Sequence, residues 1–305
     1  MTTYLVRRTV QALVSVFGVM TIVFFVVRLG GDPVALLMPE NATDEQRAAA
    51  RSALGLDQPL HVQYGRFLVS ILQGDLGTSL RQGQPALALV LERLPATLEL
   101  AVASFTVGLA IAFGLGLLLQ LSRSQFLRAA VLWLAFARQA VPVFWFGLLL
   151  ILLFSVKLGW LPSLGREGLT SLVLPALTLG TYELALYVRL LDADLREQLR
   201  QDYIRTARAK GVSELGVVLR HALPNALLPI VTIAGINVGV LLSGTVITET
   251  VFSWPGVGRL IVQAVHQRDY PVVQAGILVV SLIFVGVNLV VDLLYAAIDP
   301  RVRLR

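Results

Sequence analysis

The chain has 305 residues, of which 56% are hydrophobic and only 14% charged, and its mean hydropathy is +0.76. A soluble domain is about 45–50% apolar and about 25% charged, so a soluble globular enzyme and a disordered chain are both all but excluded. The net charge of +6 reflects 25 basic against 19 acidic residues, an excess that in a membrane protein mostly records loop asymmetry and does not signal nucleic-acid binding. There is no Cys, which removes disulfides, thiolate metal sites and cysteine nucleophiles. His61, His221 and His266 are scattered without metal-ligand spacing.

A helix needs about 20 mostly apolar residues to cross a hydrocarbon core about 30 Å thick. Six segments qualify: 9–27, 100–121, 129–156, 168–188, 222–248 and 272–291. They are continuous rather than alternating, which argues for helices and against a β-barrel. The first follows Arg7 and Arg8 as a signal peptide would, but it leads into Arg28-Leu29-Gly30-Gly31-Asp32-Pro33 instead of a small-residue cleavage site, so it reads as a retained anchor. With the N-terminus inside, the cytoplasmic pieces 1–8, 122–128, 189–221 and 292–305 carry 14 of the 25 basic residues. Six of the outer ten lie in one long loop, where the charge rule has little force, so an N-in, C-in topology is favoured. Trp133 near the inner boundary, and Trp160 and Trp254 near the outer one, are expected as interfacial anchors.

The outer loop 28–99 reads as helical. Thr43-Asp44-Glu45-Gln46 has capping-box spacing ahead of a helix that Gly55 stops. Pro59 opens a second helix to about Gln73, and Pro85 a third that ends near Pro95. Acids and bases nearly cancel there, so the loop is a polar cap that covers the outer mouth or docks a partner. The cytoplasmic loop 189–221 spaces Leu190, Leu191, Leu195 and Leu199 as a helix would, so the fourth helix continues out of the membrane. Tyr203, Ile204, Ala207 and Ala209 follow, with a break at Gly211 and a short helix from Ser213. Its small residues, Ala207, Ala209 and Gly211, suit close approach of another backbone better than a plain solvated run.

That loop carries a resemblance. Arg205-Thr206-Ala207, Gly211, His221 and Leu223-Pro224 fall on the cytoplasmic signature of the membrane subunits of bacterial binding-protein-dependent ABC importers. Ala207, Gly211, Leu223 and Pro224 match that signature, whereas Arg205, Thr206 and His221 depart from it. DYIRTARAKG resembles the version in the dipeptide, oligopeptide and nickel branch. So do GDPVALL (31–37), LGLDQPLHVQYGRFL (54–68), GDLGTSL (74–80), LPATLELA (94–101), TETVFSWPGVGRL (248–260) and RDYPVVQAGIL (268–278), in order along nearly the whole chain. The N-terminal part looks like the first of the two permease subunits in these systems.

The resemblance implies an all-α membrane protein with six transmembrane helices and the type I (MetI-like) permease fold. It divides the chain into an anchor helix (1–27), an extracytoplasmic helical region (28–99) and a five-helix core (100–305). It implies a homologous second permease as heterodimer partner, two P-loop ATPase subunits that hold ATP and Mg, and an extracytoplasmic solute-binding protein. The coupling element would fall on Asp202, Tyr203, Arg205, Thr206, Ala207, Arg208, Ala209, Lys210 and Gly211, with Leu223 and Pro224 closing the motif. The departure at Arg205 puts in doubt any contact assigned to the family's Glu there. Peptides are the expected solute, with nickel chelates or glutathione as the alternative.

The residues themselves supply no GxxxxGK[ST] loop, no HExxH, no GxSxG and no paired catalytic carboxylates, so no catalytic, cofactor or metal site is expected and any ATPase must be a separate chain. Two charges lie inside predicted spans. Arg138 and Glu183 are each roughly 9–14 Å from the cytoplasmic boundary at about 1.5 Å per residue, within reach of each other on antiparallel helices. They form an ion pair, make separate polar contacts, or line the solute path. Asn237 sits in Gly235-Ile236-Asn237-Val238-Gly239, a small-xxx-small face suited to close packing, with the path as the lesser reading. A stand-alone secondary transporter or channel is the rival from another class, though no clear internal repeat supports it; a membrane sensor or scaffold is a third.

Overall fold

The computed structural model describes residues 2–39, 41–122 and 124–298. Arg123 and the basic residues 301–305, which the orientation argument counts, lie outside the described residues. The described residues are mainly helical, with a single isolated bridge among them, between Thr78 and Pro85. In order, the helices are α1 (Thr2–Leu29), α2 (Val34–Leu37), α3 (Asp44–Ala53), α4 (Leu60–Gln73), α5 (Ala86–Leu121), α6 (Gln125–Ala140), α7 (Val143–Leu150), α8 (Leu169–Gly180), α9 (Leu184–Gln198), α10 (Asp202–Ala209), α11 (Glu214–Gly216), α12 (Leu223–Val251), α13 (Val257–His266) and α14 (Tyr270–Ile298). Two π-helical stretches, Ile151–Lys157 and Val217–Ala222, extend α7 and bridge α11 to α12.

Three helical stretches, Arg7–Leu29, Ala86–Leu121 and Tyr270–Val291, are long and apolar enough to cross a membrane unaided, and the count reaches six when each of three bent pairs is one span. The third and fourth predicted spans are therefore not straight rods. α6 and the α7 helix with its extension meet at 110°, and α8 and α9 meet at 67°. At the first break Val141 (ψ 127°) and Pro142 (ψ 141°) are both extended. Proline clashes with a helical residue before it, so the sequence itself places the bend there. A third bend of 50° separates Glu214–Leu227 from Pro229–Gly239.

Pro95 behaves differently. A separate helix ending there is expected, yet α5 runs through it for 36 residues, about 54 Å at about 1.5 Å per residue, far longer than the bilayer core. Leu89, Val90, Ala96 and Leu100 are buried on both sides of the proline, and that packing outweighs the loss of one backbone bond. The other two loop helices follow their sequence signals. Thr43 and Gln46 close a reciprocal capping box at α3, with Gln46 N–H donating to Thr43 Oγ1 at 3.3 Å and Thr43 N–H to Gln46 Oε1 at 3.0 Å.

The chain divides into two compact units. The first comprises Met1–Thr97 and Pro255–Gly286, so a late stretch of sequence groups with the outer loop. Its apolar centre is built from Val23, Leu89, Val90, Val257, Val272 and Val273. Three of the resemblance motifs meet there. Buried Asp269 accepts from Ser79 Oγ at 2.5 Å and from Leu80 N–H at 3.1 Å, Arg268 donates to the Asp32 carbonyl at 3.1 Å, and the Tyr270 hydroxyl donates to the Gly31 carbonyl.

The second unit comprises Leu98–Trp254 and Val287–Arg305. Tyr187, Val188, Leu191, Leu195, Ile204, Val217, Ala226 and Ile230 form its core. α5 and α8 cross backbone to backbone: a Cβ on Gly108 would run into the Gly180 carbonyl, and one on Gly180 into the Ser104 carbonyl. Trp254 is fully buried (0% exposed), which corrects the expectation of an interfacial anchor; Trp133 and Trp160 are 70% and 68% exposed, as an anchor requires. The Arg166 guanidinium lies 5.9 Å from the Trp254 ring, beside its ion pair with Glu99 at 2.6 Å.

Candidate functional site

Two features of the second unit carry chemistry: a cavity at the α8–α9 break and the amphipathic helix α10. The cavity has a volume of about 280 Å³, and Phe105, Val143, Tyr182, Glu183, Tyr187 and Asn237 are among its walls. Its surface is mainly apolar. The α8 helix ends at Gly180, the chain turns through Thr181 and Tyr182, and Glu183 caps α9, so the break itself aims the carboxylate. Glu183 forms no ion pair among the described residues. Asn237 reaches the same cavity from α12, and its buried Nδ2 has no hydrogen-bond partner among the described residues.

Arg138 does not pair with Glu183. It is buried on the last turn of α6, where Nε donates to Thr181 Oγ1 at 2.9 Å, Nη1 to the Val141 carbonyl at 3.2 Å and Nη2 to the Thr178 carbonyl at 2.6 Å. Its guanidinium also lies 4.0 Å from the Phe146 ring centroid. These acceptors are the carbonyls and hydroxyl exposed where α6 and α8 stop, groups that lipid cannot satisfy. Of the three candidate residues in the spans, Arg138 therefore braces the breaks, while Glu183 and Asn237 line the cavity. Gly235 is a packing residue, since a Cβ there would meet Val291 at 2.7 Å.

The helix α10 buries Ile204 and Ala207 at i, i+3 spacing against the core. Asp202, Tyr203, Arg205, Thr206, Arg208, Ala209 and Lys210 face outward, and Gly211 follows. The Val212 N–H reaches the Ala207 carbonyl at 3.2 Å and the Gly211 N–H the Arg208 carbonyl at 2.9 Å, a Schellman cap. Gly211 has φ +81° with open space around a notional Cβ, so glycine is required by backbone conformation and not by close approach within the chain. Arg208 holds Glu214 through Nε at 2.8 Å and Nη2 at 3.1 Å, and Tyr203 Oη bonds Gln198 Oε1 at 2.8 Å and receives Asn225 Nδ2 at 3.2 Å. Leu223 and Pro224 begin α12, so the motif's end is the foot of a membrane helix.

One anchor of this region escapes the sequence reading, and another, Ile204, enters it only as part of a helical run. Ile204, not the exposed Arg205, seats α10. Asp192 pairs with Arg128 and, at 3.4 Å, with Arg196, while Gln120 Nε2 donates to the Asp192 carbonyl at 3.1 Å, tying the inner ends of α5, α6 and α9 together. Among the described residues no group of three or more His, Asp or Glu gathers where it could hold a metal ion.

The architecture is that of a permease. The family described as binding-protein-dependent transport system inner membrane component matches residues 90–304, and the N-terminal component of the same transport systems matches residues 1–101. The chain belongs to this family of ABC importer permeases. It is 41% identical to the di/tripeptide transport system permease protein DppB of Pseudomonas aeruginosa (strain UCBPP-PA14) over 99% of each chain. It is 42% identical to the glutathione transport system permease protein GsiC of Salmonella paratyphi A (strain ATCC 9150 / SARB42), again over 99% of each chain. Among solved structures, the MetNI methionine ABC transporter, in inward-facing conformations, shares the fold: TM-score 0.57 at 22% identity, over 69% of this chain and 96% of that one. The fold is thus the type I permease fold in a multi-pass membrane protein.

Proposed function

We propose that the chain is one of two permease subunits of an ATP-driven importer of di- and oligopeptides, partnered by a homologous permease, two ATPase subunits that bind ATP and Mg, and an extracytoplasmic binding protein. Full-length similarity to a di/tripeptide permease is the observation that carries this reading. A glutathione importer is the second reading, supported by the equal similarity to GsiC.

In this mechanism Asp202–Gly211, with Leu223 and Pro224 behind it, is the element that an ATPase cleft grips. It suits the task physically. The helix is short, seated by Ile204 and Ala207, closed by a Schellman cap and braced by Arg208–Glu214, so a push on its outer face moves α9 and α12 rather than bending the helix. Closure of the ATPases would rock the spans between two states around a path along which Glu183 and Asn237 offer a carboxylate and an amide to a zwitterionic solute. Arg138 keeps the breaks rigid beside that path. The region 28–99 serves as an outer cap where the loaded binding protein docks.

Pull-down of the chain from its native membrane in mild detergent, with mass spectrometry of the retained proteins, tests the assembly. A second permease of this family and P-loop ATPases are the expected companions. Recovery of the chain alone, or only with copies of itself, contradicts the reading. Binding of dipeptides against glutathione by the associated binding protein separates the two solutes.

A further inference from the structure

A second cleft, of about 210 Å³, lies in the first unit beside the outer end of α1. Arg28, Gln63, Arg66, Ser70, Asp75 and Gln274 are in its wall. Arg28 uses Nε on Gln63 Oε1 at 2.9 Å and Nη1 on the Phe24 carbonyl at 3.0 Å, and neither Arg28 nor Arg66 forms an ion pair among the described residues. Gln274 is only 8% exposed, and its Nε2 has no partner among the described residues. Asp75 is the one carboxylate in the wall, and one of its oxygens already accepts the Gly77 N–H at 2.9 Å. Two guanidiniums and an orphan amide donor against one half-occupied carboxylate form a site for an oxyanion.

The cleft's level in the membrane narrows the source. Arg28 follows directly on the apolar run 9–27, so it stands where the hydrocarbon core gives way to headgroups. The α4 helix packs Tyr64 and Phe67 on Phe24 of α1, ring centroids 5.1 Å apart in both pairs. Its other side leaves Val69 and Leu72 uncovered, Leu72 at 88% exposure. An amphipathic helix with a bare valine and leucine at that depth, next to two arginines, has the build of an interfacial lipid-binding helix.

We infer that this cleft holds the phosphate of an anionic phospholipid in the outer leaflet. Arg28 and Arg66 take the phosphate oxygens, Gln274 Nε2 takes a further headgroup oxygen, and the uncovered side of α4 lies against the acyl chains. The lipid would then fix the outer region on the membrane surface.

Native mass spectrometry of the purified importer complex, delipidated and titrated with phosphatidylglycerol or phosphatidylcholine, tests this. Phosphatidylglycerol is retained at collision energies that strip phosphatidylcholine, and Arg66→Glu, a change on an exposed side chain, lowers that retention about fivefold or more. Arg66→Lys keeps most of it, and Gln274→Met, which keeps the side-chain volume, weakens it. Equal retention of the two lipids by the unaltered protein, or an Arg66→Glu complex that holds phosphatidylglycerol unchanged, overturns the inference. Millimolar inorganic phosphate should leave the melting temperature where it is; a rise matching that from phosphatidylglycerol would assign the cleft to a soluble anion and overturn the lipid.

Discussion

Arg138 and Glu183 stand at two adjoining chain breaks of the same unit, and their surroundings treat them in opposite ways. Arg138 is enclosed: two carbonyls and a hydroxyl engage its three nitrogens, and an aromatic ring covers its face. Glu183 has no ion partner and opens onto a mainly apolar cavity that it shares with the unsatisfied amide of Asn237. A buried charge hydrogen-bonded through all three of its nitrogens repairs a scaffold. A charge left unpaired beside a cavity is kept for something that arrives from outside. On this contrast rests the proposal that Arg138 serves the fold and Glu183 the path.

The strongest way to break the contrast is to attack the wall both residues share. Gly180→Val should be the most damaging change, because its side chain runs into the Ser104 carbonyl, which cannot yield without shifting α5. A loss of about 3 kcal/mol or more in detergent unfolding, or failure to accumulate in the membrane, is expected. Arg138→Met comes next. It strands the Thr178 and Val141 carbonyls and should cost about 2–3 kcal/mol, with uptake falling only as far as folded protein falls. Glu183→Gln should do the reverse: unfolding within about 0.5 kcal/mol of the parent. Peptide uptake drops about tenfold, the equivalent of one charge-assisted hydrogen bond to a solute amine. If Glu183→Gln unfolds the protein while Arg138→Met spares it, the two roles are exchanged. Gly211→Ala is smaller in stability, about 1–2 kcal/mol for a side chain at φ +81°, but should raise ATP hydrolysed per peptide imported.

How much of this is legible in the sequence depends on the kind of signal. Thr43 and Gln46 announce α3, because a capping box is local chemistry written in four residues. Gly211 announces the end of α10 for the same reason. The bend at Pro142 and the continuity at Pro95 look alike in sequence; what separates them is whether apolar neighbours from distant segments hold the helix on both sides, and no local pattern records that. Trp254 shows the same limit, since a tryptophan near a span end reads as an anchor until the chain folds over it. For Arg138 and Glu183, helical rise gives an expected depth, but pairing is decided by the two breaks, which turn the arginine toward Thr178 and Thr181. The grouping of 255–286 with the N-terminal region, and the Arg128–Asp192 tie, depend wholly on tertiary contacts.

The account as a whole turns on coupling between α10 and an ATPase. Its most direct test is dipeptide uptake into proteoliposomes holding the complete complex, with binding protein and ATP, comparing the unaltered chain with one carrying two glycines inserted after Gly211. The expected result is uptake that requires both ATP and binding protein, and that is lost in the insertion variant while ATP hydrolysis continues. Uptake without ATP, or undiminished uptake by the insertion variant, would contradict it.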